Sequence, residues 1–272
     1  MSNKILPART RPHAGVIARV HAPTVETWGN FLDCLRWEFG FTCAICLLHE
    51  HDFVLPGTGV SRTGQFSIEH KVLKSTPAGE VIENDYANCL YLCRFCNGTR
   101  GDRHAHVAPE GRLLDPVADR WDAHFAANDD SLTPLPNDGD AAYTERAYGI
   151  NDGNRRERRG ARARLIEALR RDLLARVEDI RAVDVELQGS LSVEARGAKM
   201  TQRGRWRVEA EGIVEKLKDF LGVPRDAPPL CKCRKTSTRR TVVPAVVEAC
   251  WEELPLLAIG DAPGAPARRL RE

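Results

Sequence analysis

Two Cys-x-x-Cys pairs, "CAIC" at 43–46 and "CRFC" at 93–96, constrain this chain more than any other feature. Each is a tight turn whose two sulfurs converge on one point, and two such turns can supply the four tetrahedral thiolates of a structural zinc. The spacing therefore predicts Cys43, Cys46, Cys93 and Cys96 as one Zn2+ site. With four protein ligands it has no open position, so it folds the region rather than catalysing. A redox dithiol would sit in a βαβ pattern, and none surrounds either pair. A zinc knot also turns residues 47–92 into a loop pinned at its base.

Inside that loop "SIEHKV" (67–72) begins like a strand and places Glu69 beside His70. Neighbours on a strand point to opposite faces. Serving one site together would require a twist, or the end of the strand, at this point. Taken alone, His70 reads as a core histidine. Its context is Asn88 in "DYANCLYLC" and Asn97 directly after Cys96, which gives the order C-x-x-C, Glu-His, Asn, C-x-x-C-Asn.

With these residues the chain resembles the HNH endonuclease family, in its zinc-bearing branch. The likeness is carried by "CAIC", "IEHKVLKS", "ANCLYLCRFCN" and "GTRGD", over roughly residues 41–105. It implies a ββα-metal core in an α+β fold, and hydrolysis of phosphodiester bonds in nucleic acid, DNA first. It makes His70 the general base and Asn88 the residue that braces the loop and orients it. Glu69 and Asn97 become oxygen ligands of a catalytic Mg2+ or other divalent cation, and Arg100 a phosphate contact. Glu69 stands where Asp is commoner. Cys89 stands where Leu commonly follows the middle Asn and reads as a small buried hydrophobe. The chemistry is consistent: an imidazole titrates near about 6.5 and can take a proton from water. A hard cation accepts carboxylate and amide oxygens. "GRLLDPVADRWDAHF" (111–125) and "YGIN" are similar to segments of bacterial HNH proteins found near anti-phage genes. That likeness implies a defence effector held by a partner protein such as an ATPase. The rival reading is a zinc-stabilised module that binds nucleic acid or protein without catalysis.

Lys and Arg number 40 against 38 Asp and Glu, so any nucleic-acid surface must come from local clustering. The densest cluster is Arg155, Arg156, Arg158, Arg159, Arg162 and Arg164, at the start of a long helical pattern. Arginines there oppose the helix macrodipole, so helix stability does not explain them. Arg155, Arg156 and Arg159 read as phosphate contacts or as a solvated face in equal measure. The basic loop with Cys231 and Cys233 lacks a second pair. His104 and His106 read as exposed residues. Asp115 and His124 invite comparison with a catalytic pair, but His124, between Ala123 and Phe125, reads as packing.

The expected layout is a polar arm (1–23), a nuclease domain (24–106), an irregular or β extension (107–152), a helical region (153–256) and a disordered tail (257–272). Helices are expected over 24–40, 155–187, 204–221 and 244–254. The second carries a stripe of Leu165, Leu169, Leu173, Val177 and Ile180. In the third, Val208, Ile213, Val214, Leu217 and Phe220 face inward. No run approaches a membrane span, and the N-terminal residues lack the apolar stretch of a signal peptide, so the expectation is a cytoplasmic protein without membrane contact.

Overall fold

The computed structural model describes residues 27–53, 65–101, 106–107, 111–128 and 130–221. The expected arm, His104, the basic loop with Cys231 and Cys233, the helix over 244–254 and the tail lie outside them. The described residues form a mixed fold of helices and small two-stranded antiparallel sheets. Packing divides them into two units, with Ala163 the last residue of the first before Arg164–Asp219 form the second.

The first unit opens with a 3-10 turn, Trp28–Phe31, running into α1, Leu32–Glu38. Gly40 at φ 59° ends this segment in the left-handed region, where glycine meets no Cβ penalty. Strand β1, Phe66–His70, then pairs with β2, Cys89–Cys93, in the register Phe66↔Cys93 to His70↔Cys89. Between them lie α2, Pro77–Val81, capped by the Thr76 hydroxyl, and a 3-10 turn at Tyr86–Asn88. Helix α3, Arg94–Arg100, follows β2 with no linker. The result is a strand–strand–helix unit whose apolar side packs Phe66 on Tyr91, ring centroids 4.8 Å apart. The surrounding core includes Leu35, Ile45, Leu48, Leu92 and Trp121.

The segment expected to be irregular or β holds short strands and two helices. It holds β3, His106–Val107, paired with β4, Gly111–Arg112; then α4, Trp121–His124; then a hairpin of β5, Phe125–Asn128, and β6, Ser131–Pro134. It ends in a ten-residue helix, α5, Gly139–Tyr148, absent from the expected layout. The Asp138 side chain accepts from the Ala141 amide at its start, and Gly149 closes it at φ 57°.

Helix α6, Gly153–Gln188, begins in the first unit and continues into the second. There its buried stripe is Ile166, Leu173, Val177, Ile180 and Val183. Leu165, expected in the stripe, is 41% exposed; the true helix phase puts its neighbour Ile166 inside. Helix α7, Val193–Leu221, starts eleven positions before the expected 204. It buries Ala210, Val214 and Leu217, while Val208, expected inward, is 68% exposed. Arg176–Glu209, Arg203–Asp184 and Lys199–Glu186 ion pairs join the two helices. No helix among the described residues is long and apolar enough to cross a membrane.

Candidate metal centre and strand-end site

The four cysteines meet. Their sulfurs all lie within 4.8 Å of one another, with Cys46 Sγ and Cys93 Sγ 3.6 Å apart, and all four residues are buried. The first pair sits on a knuckle. The Cys43 amide donates to the Leu48 carbonyl at 2.8 Å, the Leu47 amide donates to the Cys43 carbonyl at 3.3 Å, and Leu47 adopts φ 61° to close the turn. The Ala44 amide donates to the Tyr91 carbonyl at 2.7 Å, tying the knuckle to the strand that delivers the second pair. Cys93 is both the last residue of β2 and the N-cap of α3, and Cys96 follows on the first turn.

The donor chemistry fits a thiophilic divalent cation. Burial pushes the Cys93 and Cys96 thiols well above their usual value. Burial acts on Cys43 too, but hydrogen bonds from the other three thiols outweigh it and hold Cys43 well below its usual value. Four buried sulfurs this close together match the tetrahedral thiolate set of a structural zinc, which binds as the thiols give up their protons.

Glu69, His70 and Asn88 sit at the other end of the hairpin. His70 is the final residue of β1 and is 4% exposed. Its ring lies edge-on to Trp28, centroids 5.4 Å apart, and its Nε2 lies 2.9 Å from the Glu83 carbonyl oxygen. A carbonyl only accepts, so this contact makes Nε2 the donor, and in the neutral ring the lone pair is then on Nδ1. Asn88, expected to orient His70, makes its side-chain hydrogen bonds elsewhere. Its side-chain oxygen accepts from the Val72 amide (2.9 Å) and its amide donates to the Val72 and Ile82 carbonyls (both 3.3 Å). Asn88 thus braces the loop after β1, and the Glu83 carbonyl holds the imidazole.

Glu69 alternates with His70 and shares its strand face with Ser67, the side on which α3 packs. Asn97 Nδ2 donates to Ser67 Oγ at 2.8 Å, which leaves the lone pairs of the Asn97 amide oxygen to accept a hydrogen bond or ligate a cation. Arg100, expected on a phosphate, is 2% exposed. It donates to Glu69 Oε1 (2.6 Å) and to the carbonyls of His70 (2.5 Å) and Lys71 (2.8 Å). Burial raises the Glu69 carboxyl above its usual value, and Arg100 offsets only part of that.

The helix arginines also differ from expectation. Arg155 and Arg159 are 3% and 4% exposed. Arg155 donates to the Tyr148 and Gly149 carbonyls and to the Thr99 hydroxyl. Arg159 donates to the carbonyls of Cys46, Ile150 and Asp130. Neither guanidinium is presented to a phosphate; both satisfy chain carbonyls. Arg156 remains on the surface, 3.1 Å from Asp130. The sequence did carry a signal for this division. Arg155, Arg159 and Arg162 are spaced i, i+4, i+7, the period of a single helix face. His124 pairs with Asp138 at 2.6 Å, and Asp115 pairs instead with Lys71 at 3.0 Å.

Comparison of the chain with known family models, curated proteins and solved structures finds no match.

Proposed function

We propose that the protein is a metal-dependent endonuclease of HNH type, in which a cysteine-bound zinc fixes the hairpin and His70 accepts a proton from the attacking water. The observation that carries this reading is the His70–Glu83 contact. A strand-end imidazole held through Nε2 by a carbonyl keeps Nδ1 as proton acceptor, the state a general base needs. The strand–strand–helix order supports it by placing Glu69 and Asn97 on one side of the hairpin. These two would hold a Mg2+ or related cation through a carboxylate and an amide oxygen, with Glu69 also bonded to Arg100. When bound, such a cation stabilises charge on the scissile phosphate. Asn88 keeps the loop that follows His70 in place, and Arg100 fixes the backbone of His70 and Lys71. DNA is the first substrate to test, and a defence role with a regulating partner rests on the sequence resemblance alone.

One observation favours a second reading, a zinc-stabilised binding module without catalysis. The proposed ligand Glu69 already has a buried cationic partner in Arg100.

Incubation of supercoiled plasmid with purified protein separates the two. The nuclease reading expects nicking with Mg2+ or Mn2+, none with excess EDTA, and loss of at least about 100-fold in His70→Ala. Plasmid and RNA both left intact by a folded, zinc-loaded wild type under every divalent cation would overturn it.

A further inference from the structure

The arginines at the start of α6 pose an electrostatic problem. Arg155, Arg159 and Arg162 are 3%, 4% and 7% exposed, and Arg155 also lies in the first turn of the helix, where the macrodipole is positive. A buried guanidinium needs a counter-charge, not only acceptors. Among the described residues, the one buried carboxylate they reach is Asp52, 3.4 Å from Arg162. Arg155 approaches Asp152 at 3.9 Å, but that carboxylate is 63% exposed. Every hydrogen-bond acceptor of Arg159 is neutral: three carbonyls and the Asn151 side-chain oxygen.

Two of these contacts point to what supplies the charge. Arg159 Nη1 donates to the carbonyl of the ligand Cys46 at 3.0 Å, and Arg162 Nη2 to the next carbonyl, Leu47, at 2.7 Å. Both guanidinium groups are therefore seated on the zinc knuckle. Four thiolates around a divalent cation leave a doubly negative centre, whereas four protonated thiols carry no charge.

We propose that Arg159 and Arg162 are positioning residues of the cysteine metal centre: they neutralise its negative charge through the knuckle, and metal occupancy in turn seats the first turns of α6. The proposal rests on the zinc reading of the cysteines and is independent of the nuclease chemistry. It assigns a role to Arg159, which the sequence left between a phosphate contact and a solvated face, and to its neighbour Arg162. It also makes the helix start conditional on the metal, since without the tetrathiolate Arg159 is left with neutral acceptors and Arg162 with Asp52 alone.

The test measures zinc stoichiometry first, then zinc affinity by chelator competition, and amide hydrogen exchange over residues 153–163 with and without metal. The full chain is expected to carry one zinc. Arg159→Met should weaken zinc binding by at least about 10-fold, with partial rescue in Arg159→Lys and no change in the surface control Arg156→Met. In the wild type, metal removal should speed exchange over 153–163. A protein that never carries zinc defeats the cysteine reading itself. A zinc-loaded protein overturns the proposal if folded Arg159→Met binds zinc as tightly as wild type. If Arg159→Met does not fold, the wild type decides: 153–163 equally protected with and without zinc overturns the proposal.

Discussion

His70 and Glu83, thirteen residues apart, meet through a ring nitrogen and a main-chain carbonyl 2.9 Å apart. Because the acceptor is backbone, no side chain at position 83 is needed for it. The tautomer is thus a property of the loop's path. Nitrogen NMR of histidine-labelled protein should show His70 with a protonated Nε2 and an unprotonated Nδ1 at neutral pH. A protonated Nδ1 would remove the basis for assigning His70 as the base. Glu83→Ala should leave the pattern unchanged.

Removing the cysteine centre should cost the first unit its fold. Zinc-dependent folding free energies are of the order of 10 kcal/mol in small zinc domains. Cys93→Ala or Cys96→Ala should lose bound zinc and the cooperative unfolding transition of this unit in calorimetry. A variant that keeps both contradicts the ligand assignment.

Arg100 binds the carboxylate of Glu69 and two consecutive carbonyls. Arg100→Met strands a part-buried carboxylate and should destabilise by about 3 kcal/mol, measured as a shift in urea midpoint. Double substitution with Glu69→Gln should recover part of the loss, because the uncompensated charge is gone.

Asp52 is buried beside Arg162, and burial pushes its carboxyl above the usual range despite the pull of Arg162, Arg158 and Arg159. A raised carboxyl binds its proton more tightly in the folded state than in the unfolded one, about 3.9 for Asp. Its contribution is complete below the unfolded value and lost as pH rises through the folded one. The stability of wild type relative to Asp52→Asn should therefore fall as pH rises above about 4, by at most about 1.4 kcal/mol per pH unit. Unfolding titrations across that range read the slope; a flat difference contradicts the shift.

In the second unit, Leu173→Ala should cost about 3 kcal/mol, since the side chain is 1% exposed. Leu165→Ala, at 41% exposure, should stay within about 0.5 kcal/mol. Equal losses would mean a different helix phase.

The cysteine cluster was legible because metal ligation depends on residue type and local spacing, both written in "CAIC" and "CRFC". Position 70 at a strand end was legible as a requirement, since adjacent Glu69 and His70 could not otherwise serve one site. The Glu83 carbonyl was not, because a main-chain acceptor leaves no trace in residue identity. Nor were the arginine roles, since one guanidinium satisfies a phosphate or a carbonyl equally well. The slip from Ile166 to Leu165 has a plainer cause: two adjacent apolar residues fit the same period, and only packing chooses between them. Helix α5 was hidden by the turn formers before it, although Asp138 among them is its cap.

Cys93 ends a strand, occupies the N-cap position of a helix and carries a thiol of the four-cysteine cluster, all at one position. The junction therefore works like a gear key. One residue inserted after it would turn α3 by about 100°, carrying Cys96 off the cluster, Asn97 away from Ser67 and Arg100 away from Glu69 in a single step. The cysteine cluster and the strand-end site share one angular index, so length changes at this joint are barred, while the loop between His70 and Asn88 is held at separate points, by Arg100 at Lys71, by Asn88 at Val72 and Ile82 and by the ring at the carbonyl of residue 83.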